Sequence, residues 1–249
     1  MNTVKISAIS YLNTKPFVYG LEHSGILKNY EMQFDIPSVC AEKLLKNEVD
    51  IGIVPVAIIP LLKEAHILSD YCIGAVGAVN SVVLYSCVPL NEIEFIELDY
   101  QSRTSVMLTK ILAKNFWKIN PQWVNAEKNY ENNISEKRAG VVIGDRTFAL
   151  KDKYPFTFDL SEEWMKFTGL PFVFACWVAN KKLPEKFIFE FSEAIKYGVN
   201  HRKELIEELQ KNNSYPTDVS HYLMKSISYD LDASKKKALD LFLSYLKKV

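Results

Sequence analysis

The first 55 residues alternate between two hydrophobic periods, and that alternation limits the folds open to the chain. Val4, Ile6 and Ala8 recur every second residue, as in a strand, and Phe17 to Leu27 reads as a short helix closing near Gly25. Met32, Phe34 and Ile36 return to the period of two, and Val39, Leu44 and Leu45 give a second helix its apolar face. Pro37 and Ser38 open that helix, with Ser38 as N-cap and Glu42 suited to the positive end of the dipole. Asp50-Ile51-Gly52-Ile53-Val54-Pro55 is then an almost continuous apolar run, the pattern of a strand buried on both faces. Strand, helix, strand, helix, strand predicts an α/β fold with a parallel sheet covered by helices.

Farther on, Ile67 to Ile73 and Asn80 to Ser86 are strand-like, separated by a turn through Gly74 to Ala78. Pro89-Leu90-Asn91 breaks the pattern and Phe95 to Leu98 restarts it, which puts a crossing between two lobes near residues 87–91. Asp99 to Thr104 leads into a helix from Ser105 to Phe116, and the strand Gly140 to Ile143 exits through Gly144-Asp145-Arg146-Thr147. Phe172 to Ala179 is the last strong strand, with a return crossing near 176–180. Four helices follow, over Glu185–Tyr197, His201–Lys211, Thr217–Ser226 and Ser234–Lys247. Glu204, Glu207 and Glu208, like Lys235-Lys236-Lys237, read as solvated helix faces. The expected division is residues 1–87 plus 178–249 in one lobe and 88–177 in the other, with a ligand cleft between them.

Thirty basic and thirty acidic side chains cancel, so no basic field points to nucleic acid, and a small-molecule or protein partner is expected. The apolar runs are too short to span a bilayer and no secretory h-region opens the chain, so a cytoplasmic location without membrane insertion is expected. Cys40, Cys72, Cys87 and Cys176 are widely spaced and read as small buried apolar residues. His23, His66, His201 and His221 are equally scattered, which argues against a metal site. Glycine-rich nucleotide loops and the serine-hydrolase elbow are absent from the sequence.

Ser10, Tyr11, Asn13 and Thr14 fall at the carboxyl end of the first strand, where open α/β sheets bind ligands. They either form part of a site or only cap their own helix. Ser102-Arg103-Thr104-Ser105 gathers three hydroxyls and a guanidinium at a helix start, an arrangement suited to a carboxylate or phosphate. Ordinary capping, with Arg103 in solvent, is the alternative. Gly144, Asp145 and Arg146 hold the corresponding position in the neighbouring unit; because Asp145 would repel an anion, it is expected to cap the next helix or to orient Arg103 or Arg146. Ser81 is a polar residue in a segment otherwise made for a core, a place where serines often bond only to a neighbouring carbonyl. Trp164 and Phe167, just before Thr168, line either a pocket wall or the core.

Five stretches together resemble the chorismate dehydratases of the futalosine route to menaquinone: Ile9 to Phe17, Asp50 to Val56, Ser102 to Val106, Ile143 to Asp145 and Thr168 to Trp177. The resemblance implies a two-lobed fold like the type II periplasmic binding proteins, with the ligand in the cleft between lobes. It also implies loss of water from chorismate, a small-molecule dianion, to give 3-[(1-carboxyvinyl)oxy]benzoate without metal or organic cofactor. Asn13 and Ser81 match the family's functional Asn and Ser, and Ser102 to Ser105 its carboxylate-holding loop. Ser10, Tyr11, Thr14, Gly144, Asp145 and Thr168 complete the expected substrate-binding set. The family's proposed use of the substrate's own side-chain carboxylate as base fits the absence of an obvious histidine or lysine base. A 1,4-dihydroxy-6-naphthoate synthase, thought to rely on an active-site histidine, and a non-catalytic anion-binding protein are the alternatives. The oligomeric state stays open.

Overall fold

The computed structural model describes residues 3–212 and 215–248. Strand β1 (Val4–Ile9) passes through a 3-10 turn (Leu12–Thr14) into α1 (Lys15–His23), with Pro16 in its first turn. β2 (Tyr30–Asp35), α2 (Pro37–Leu45), β3 (Ile51–Pro55) and β4 (His66–Ala75) follow. Then come β5 (Val82–Ser86), β6 (Phe95–Leu98), α3 (Thr104–Leu112), β7 (Gln122–Asn125) and β8 (Arg138–Ile143). β9 (Phe156–Asp159) leads into α4 (Leu160–Thr168), which gives way to β10 (Phe172–Ala179). The chain finishes with α5 (Glu185–Asn200), α6 (Arg202–Asn212), the short α7 (Val219–His221), a wide turn (Tyr222–Ser226), β11 (Ser228–Asp230) and α8 (Ala233–Leu246).

The strands form two sheets, ordered β11-β4-β10-β3-β1-β2 and β7-β6-β8-β5-β9. Both are mixed rather than parallel. β1 runs parallel to β2 and β3, while β10 is antiparallel to β3 and β4. In the second sheet β6 is parallel to β7 and β8, while β5 is antiparallel to β8 and β9. The chain changes sheet earlier than expected at both crossings. It leaves the first sheet over residues 76–81, not 87–91, because β5 pairs with β8 and β9. It returns over 169–171, because all of β10 belongs to the first sheet.

Other local expectations also change. Ser38 is not the N-cap of α2: Pro37 already occupies the first turn, after Ile36 in extended conformation. Ser7 is fully buried, its Oγ donating to Asp35 at 2.7 Å, so β1 is covered on both faces. Lys235, read as part of a solvated run, is 1% exposed, its ammonium donating to Asp232 at 3.0 Å. β7, β9 and β11 are too short to show a period, and α4 is bounded mainly by its caps. Asp159 accepts from Ser161 and Glu162 N–H at one end of α4, and Gly169 takes a left-handed φ of 72° at the other. Burial pushes the Cys40 and Cys72 thiols up to about 12, consistent with small apolar core residues.

The mixed pairing brings strand ends together. In the first sheet the carboxyl ends of β1, β3 and β4 lie beside the start of β10, as the pairings Pro55 with Ala175 and Ala75 with Phe172 require. In the second, the carboxyl ends of β6 and β8 lie beside the start of β5, where Val82 pairs with Ile143. Thr104 at the start of α3 spans the gap, accepting from Ala57 N–H at 3.2 Å and donating to the Phe174 carbonyl at 3.1 Å.

Helix α1, which follows the turn carrying Asn13, is seated on α5 through two glycines. A Cβ at Gly198 would stand 1.8 Å from the Pro16 carbonyl oxygen, and one at Gly20 would stand 2.0 Å from that of Ala194. In an exposed helix Gly→Ala gains up to roughly 1 kcal/mol. Here the backbone clash reverses the sign. Gly198→Ala is expected to destabilise the fold by about 1–3 kcal/mol, read as a fall in Tm of roughly 2–4 °C per kcal/mol.

Candidate functional site

A cavity enclosing about 510 Å³ of empty space, part of it open to solvent, lies where the strand ends of the two sheets meet. Tyr11, Asn13, Ser81, Ser102, Thr104 and Ser105 supply its polar side chains, and Ile9, Ile73, Val79, Val82, Ile143 and Phe174 much of its apolar wall. Among the described residues, no Lys, Arg, His, Asp or Glu lines it.

Each polar residue is held by its neighbours. Asn13 follows Leu12 in the 3-10 turn, and its side-chain oxygen accepts from Thr14 Oγ at 3.1 Å, which leaves the amide N–H groups on the other side. The Asn13 carbonyl accepts from the buried Tyr229 hydroxyl at 2.9 Å. Ser81, 1% exposed, accepts at Oγ from Tyr222 hydroxyl at 2.8 Å, and its carbonyl accepts from Gly144 N–H at 2.9 Å. Gly144 has a φ of +68°, and a Cβ there would lie 2.6 Å from the Tyr11 ring. A side chain at that position would therefore collide with one wall of the cavity.

At the start of α3, Ser102 Oγ accepts from Ser105 N–H at 3.0 Å, so one hydroxyl does the capping. Thr104 and Ser105 are buried against the cavity beside the first-turn N–H groups, which have no partners within the helix. Tyr11 donates through its hydroxyl to Gln101 in the preceding loop. Burial raises the Tyr11 pKa well above that of a free phenol, partly offset by the Arg146 charge, so Tyr11 is neutral at ordinary pH.

Arg146 is not oriented by Asp145. The buried Asp99 carboxylate receives it, together with Tyr130 hydroxyl at 2.8 Å and Ile143 N–H at 3.1 Å, and Glu131 takes its other amino group at 2.5 Å. Asp145 instead accepts Leu12 N–H at 3.2 Å with both oxygens, tying the Asn13 turn to the exit of β8. It therefore stands behind the cavity and caps the opening 3-10 turn.

Several residues expected here are elsewhere. Ser10 and Arg103 are exposed, and Thr14 is buried with its hydroxyl turned to Asn13. Thr168 closes α4, donating to the Trp164 carbonyl at 2.9 Å. Trp164 is core: fully buried, it donates to the Pro171 carbonyl and packs edge-on against Phe172 and Phe242. Sequence reasoning missed Tyr222, Tyr229 and Gln101. Tyr222 and Tyr229 lie in the helical tail, whose pattern carries no local sign of a site.

A family model described as menaquinone biosynthesis matches residues 4–248. A chorismate dehydratase of Thermus thermophilus is 27% identical over 253 residues, covering 93% of this chain and 91% of that protein. Among solved structures, a protein of Archaeoglobus fulgidus superposes with a TM-score of 0.74 at 14% identity, over 99% of this chain and 97% of that one. A Candida albicans protein described as having the generic periplasmic binding protein fold gives a TM-score of 0.64 at 16% identity, over 100% and 91%. The two sheets are thus the two lobes of that fold.

The Asp145 contact has a pH signature. Burial raises its carboxyl above the usual range, against the opposing pull of Leu12 N–H and the Lys15 charge. A raised folded pKa means that its contribution to stability is complete below the unfolded value of about 3.9 and is lost as pH rises through the folded value. Asp145→Asn keeps an acceptor and does not ionise, so its Tm relative to wild type should climb as pH rises from about 4 to 8. Asp145→Ala leaves Leu12 N–H unpaired and should cost about 1–3 kcal/mol near pH 4 and less as pH rises and wild type loses the neutral carboxyl's contribution; thermal melts of both variants across this range test the two outcomes.

Proposed function

The chain belongs to the menaquinone biosynthesis family, whose model it matches from residue 4 to residue 248, and on that premise we propose that it dehydrates chorismate to 3-[(1-carboxyvinyl)oxy]benzoate. Chorismate carries two carboxylates, a ring hydroxyl and a ring hydrogen on the neighbouring carbon. Removing that hydrogen as a proton and the hydroxyl with its bonding pair, which together make one water, completes an aromatic ring, so the reaction is driven by its product. The enzyme's task is to hold the dianion in one geometry, keep bulk water away and assist the departing oxygen.

The observation that carries this reading is a cavity rich in hydroxyls and an amide but without an ionised side chain. One carboxylate is held at the start of α3 by the Ser102 and Ser105 hydroxyls and the first-turn N–H groups that Ser102 leaves uncapped, while the Thr104 hydroxyl, spent on the Phe174 carbonyl, ties the two sheets together. With no protein base on the wall, the substrate's own side-chain carboxylate takes the ring proton. Asn13 and Ser81 hydrogen-bond that carboxylate or the leaving hydroxyl, where charge develops in the transition state.

The histidine-dependent sibling chemistry is disfavoured, because none of the four histidines lines the cavity. A non-catalytic anion-binding protein is the second alternative, and turnover separates it from the first reading.

Purified protein incubated with chorismate should yield a product lighter by one water, detected by mass spectrometry, and chorismate left unchanged refutes the proposal. Asn13→Ala and Ser81→Ala should each lower kcat by roughly 10²-fold or more, the first with Tm close to wild type and the second with a stability loss of about 1–3 kcal/mol from the unpaired Tyr222 hydroxyl. Unchanged kcat in either variant removes that residue from the mechanism.

A further inference from the structure

Tyr222 stands behind the cavity wall and lies 141 residues from Ser81, the side chain it touches. Its phenol is 2% exposed and donates to Ser81 Oγ at 2.8 Å. The direction of that bond follows from acidity, since a phenol is a far stronger donor than an aliphatic alcohol. A serine hydroxyl that accepts from behind keeps its own hydrogen to donate elsewhere, and Ser81 lines the cavity.

The turn that carries Tyr222 is fitted to this purpose at a second point. Ser226, at the other end of the Tyr222–Ser226 turn, accepts at Oγ from Asn80 Nδ2 at 3.0 Å. Asn80 itself is held in the left-handed region at φ 61°, with its N–H on Asp159 at 2.7 Å and its carbonyl on Thr147 Oγ at 3.2 Å. The backbone leading into Ser81 is therefore immobilised independently of the phenol. What the phenol adds is control of the hydroxyl rotor.

Burial raises the Tyr222 phenol well above its ordinary range, so it stays protonated and free to donate. The chain of donors runs from Tyr222 to Ser81 and from Ser81 into the cavity.

We propose that Tyr222 is a positioning residue for the dehydration: by donating to Ser81 Oγ it fixes the serine hydroxyl as a donor directed at the substrate oxygen. The inference rests on the reaction proposed above. It assigns Ser81 its hydrogen-bond polarity and gives the C-terminal helical segment a part in turnover.

Tyr222→Phe removes only the hydroxyl, and the edge-on packing against Phe148, with ring centroids 5.0 Å apart, can persist. The expected result is a fall in kcat of about 10-fold or more, with KM within about threefold and Tm within a few degrees of wild type. In a Ser81→Ala background the same substitution should change kcat by less than about twofold, because the group it orients is gone. Wild-type kcat in Y222F, or an equal loss with and without Ser81, overturns the inference.

A second measurement does not need that variant. With 3-fluorotyrosine installed at position 222, the 19F resonance should shift when 3-[(1-carboxyvinyl)oxy]benzoate is added, and the shift should vanish in Ser81→Ala. An unmoved resonance, or a shift that survives S81A, overturns the inference alone. Wild-type protein that leaves chorismate unchanged overturns the proposed reaction and this inference with it.

Discussion

A half-buried carboxylate at Asp159 holds the point on which the site depends. It accepts backbone N–H groups from Val79 and Asn80 in the crossing segment and from Ser161 and Glu162 at the start of α4. A chain leaving one sheet for another exposes backbone donors that have no ladder partner, and burying them unpaired would be costly. Asp159 satisfies the donors on both sides of the passage at once. Ser81 follows immediately, so its place on the cavity wall comes from solving this backbone problem.

In the proposed reaction the cavity would hold a dianion without a lysine or arginine on its wall. A guanidinium is near: Arg146 stacks on Tyr100 and is bound to Asp99 and Glu131 behind the surface. Two carboxylates neutralise it, and it serves to fix the loop after β6 against the exit of β8. What lines the cavity is a set of hydroxyls and an amide beside the uncapped N–H groups of a helix start, all weaker than a formal charge and all fixed in direction. In a largely apolar enclosure such dipoles act strongly because little solvent competes with them.

Much of the fold was readable because it rests on local period. The continuous run at Ile51 to Val54 became β3, buried throughout, and the apolar spacing from Val106 to Leu112 became α3. Asn13, Ser102 and Ser105 were readable for the same reason, since a strand end followed by a helix start marks a position in the fold. Arg103 shows the limit of that logic. Its neighbours face the cavity while it faces solvent, and at a helix start only the realised dihedral angles decide which side chain turns inward. Thr168 lies in a stretch that matches the family, yet it caps a helix on the far side of the Trp164 core. Mixed sheets were not readable, because antiparallel β10 has the same continuous apolar pattern as a parallel central strand.

The sequence by itself determined the strongly periodic elements, the presence of two lobes and most of the residue types that line the cavity. Periodicity and capping act over a few residues, so a linear reading can recover them. Only the tertiary structure decided how those residues are supported. Tyr222 reaches Ser81 across 141 positions and Tyr229 reaches Asn13 across 216. Hydrogen bonds over such separations leave no periodic trace, because their partners are chosen by the packing of the C-terminal segment against the first strands. The tail that looked featureless as a string of helices is therefore what fixes the back of the site.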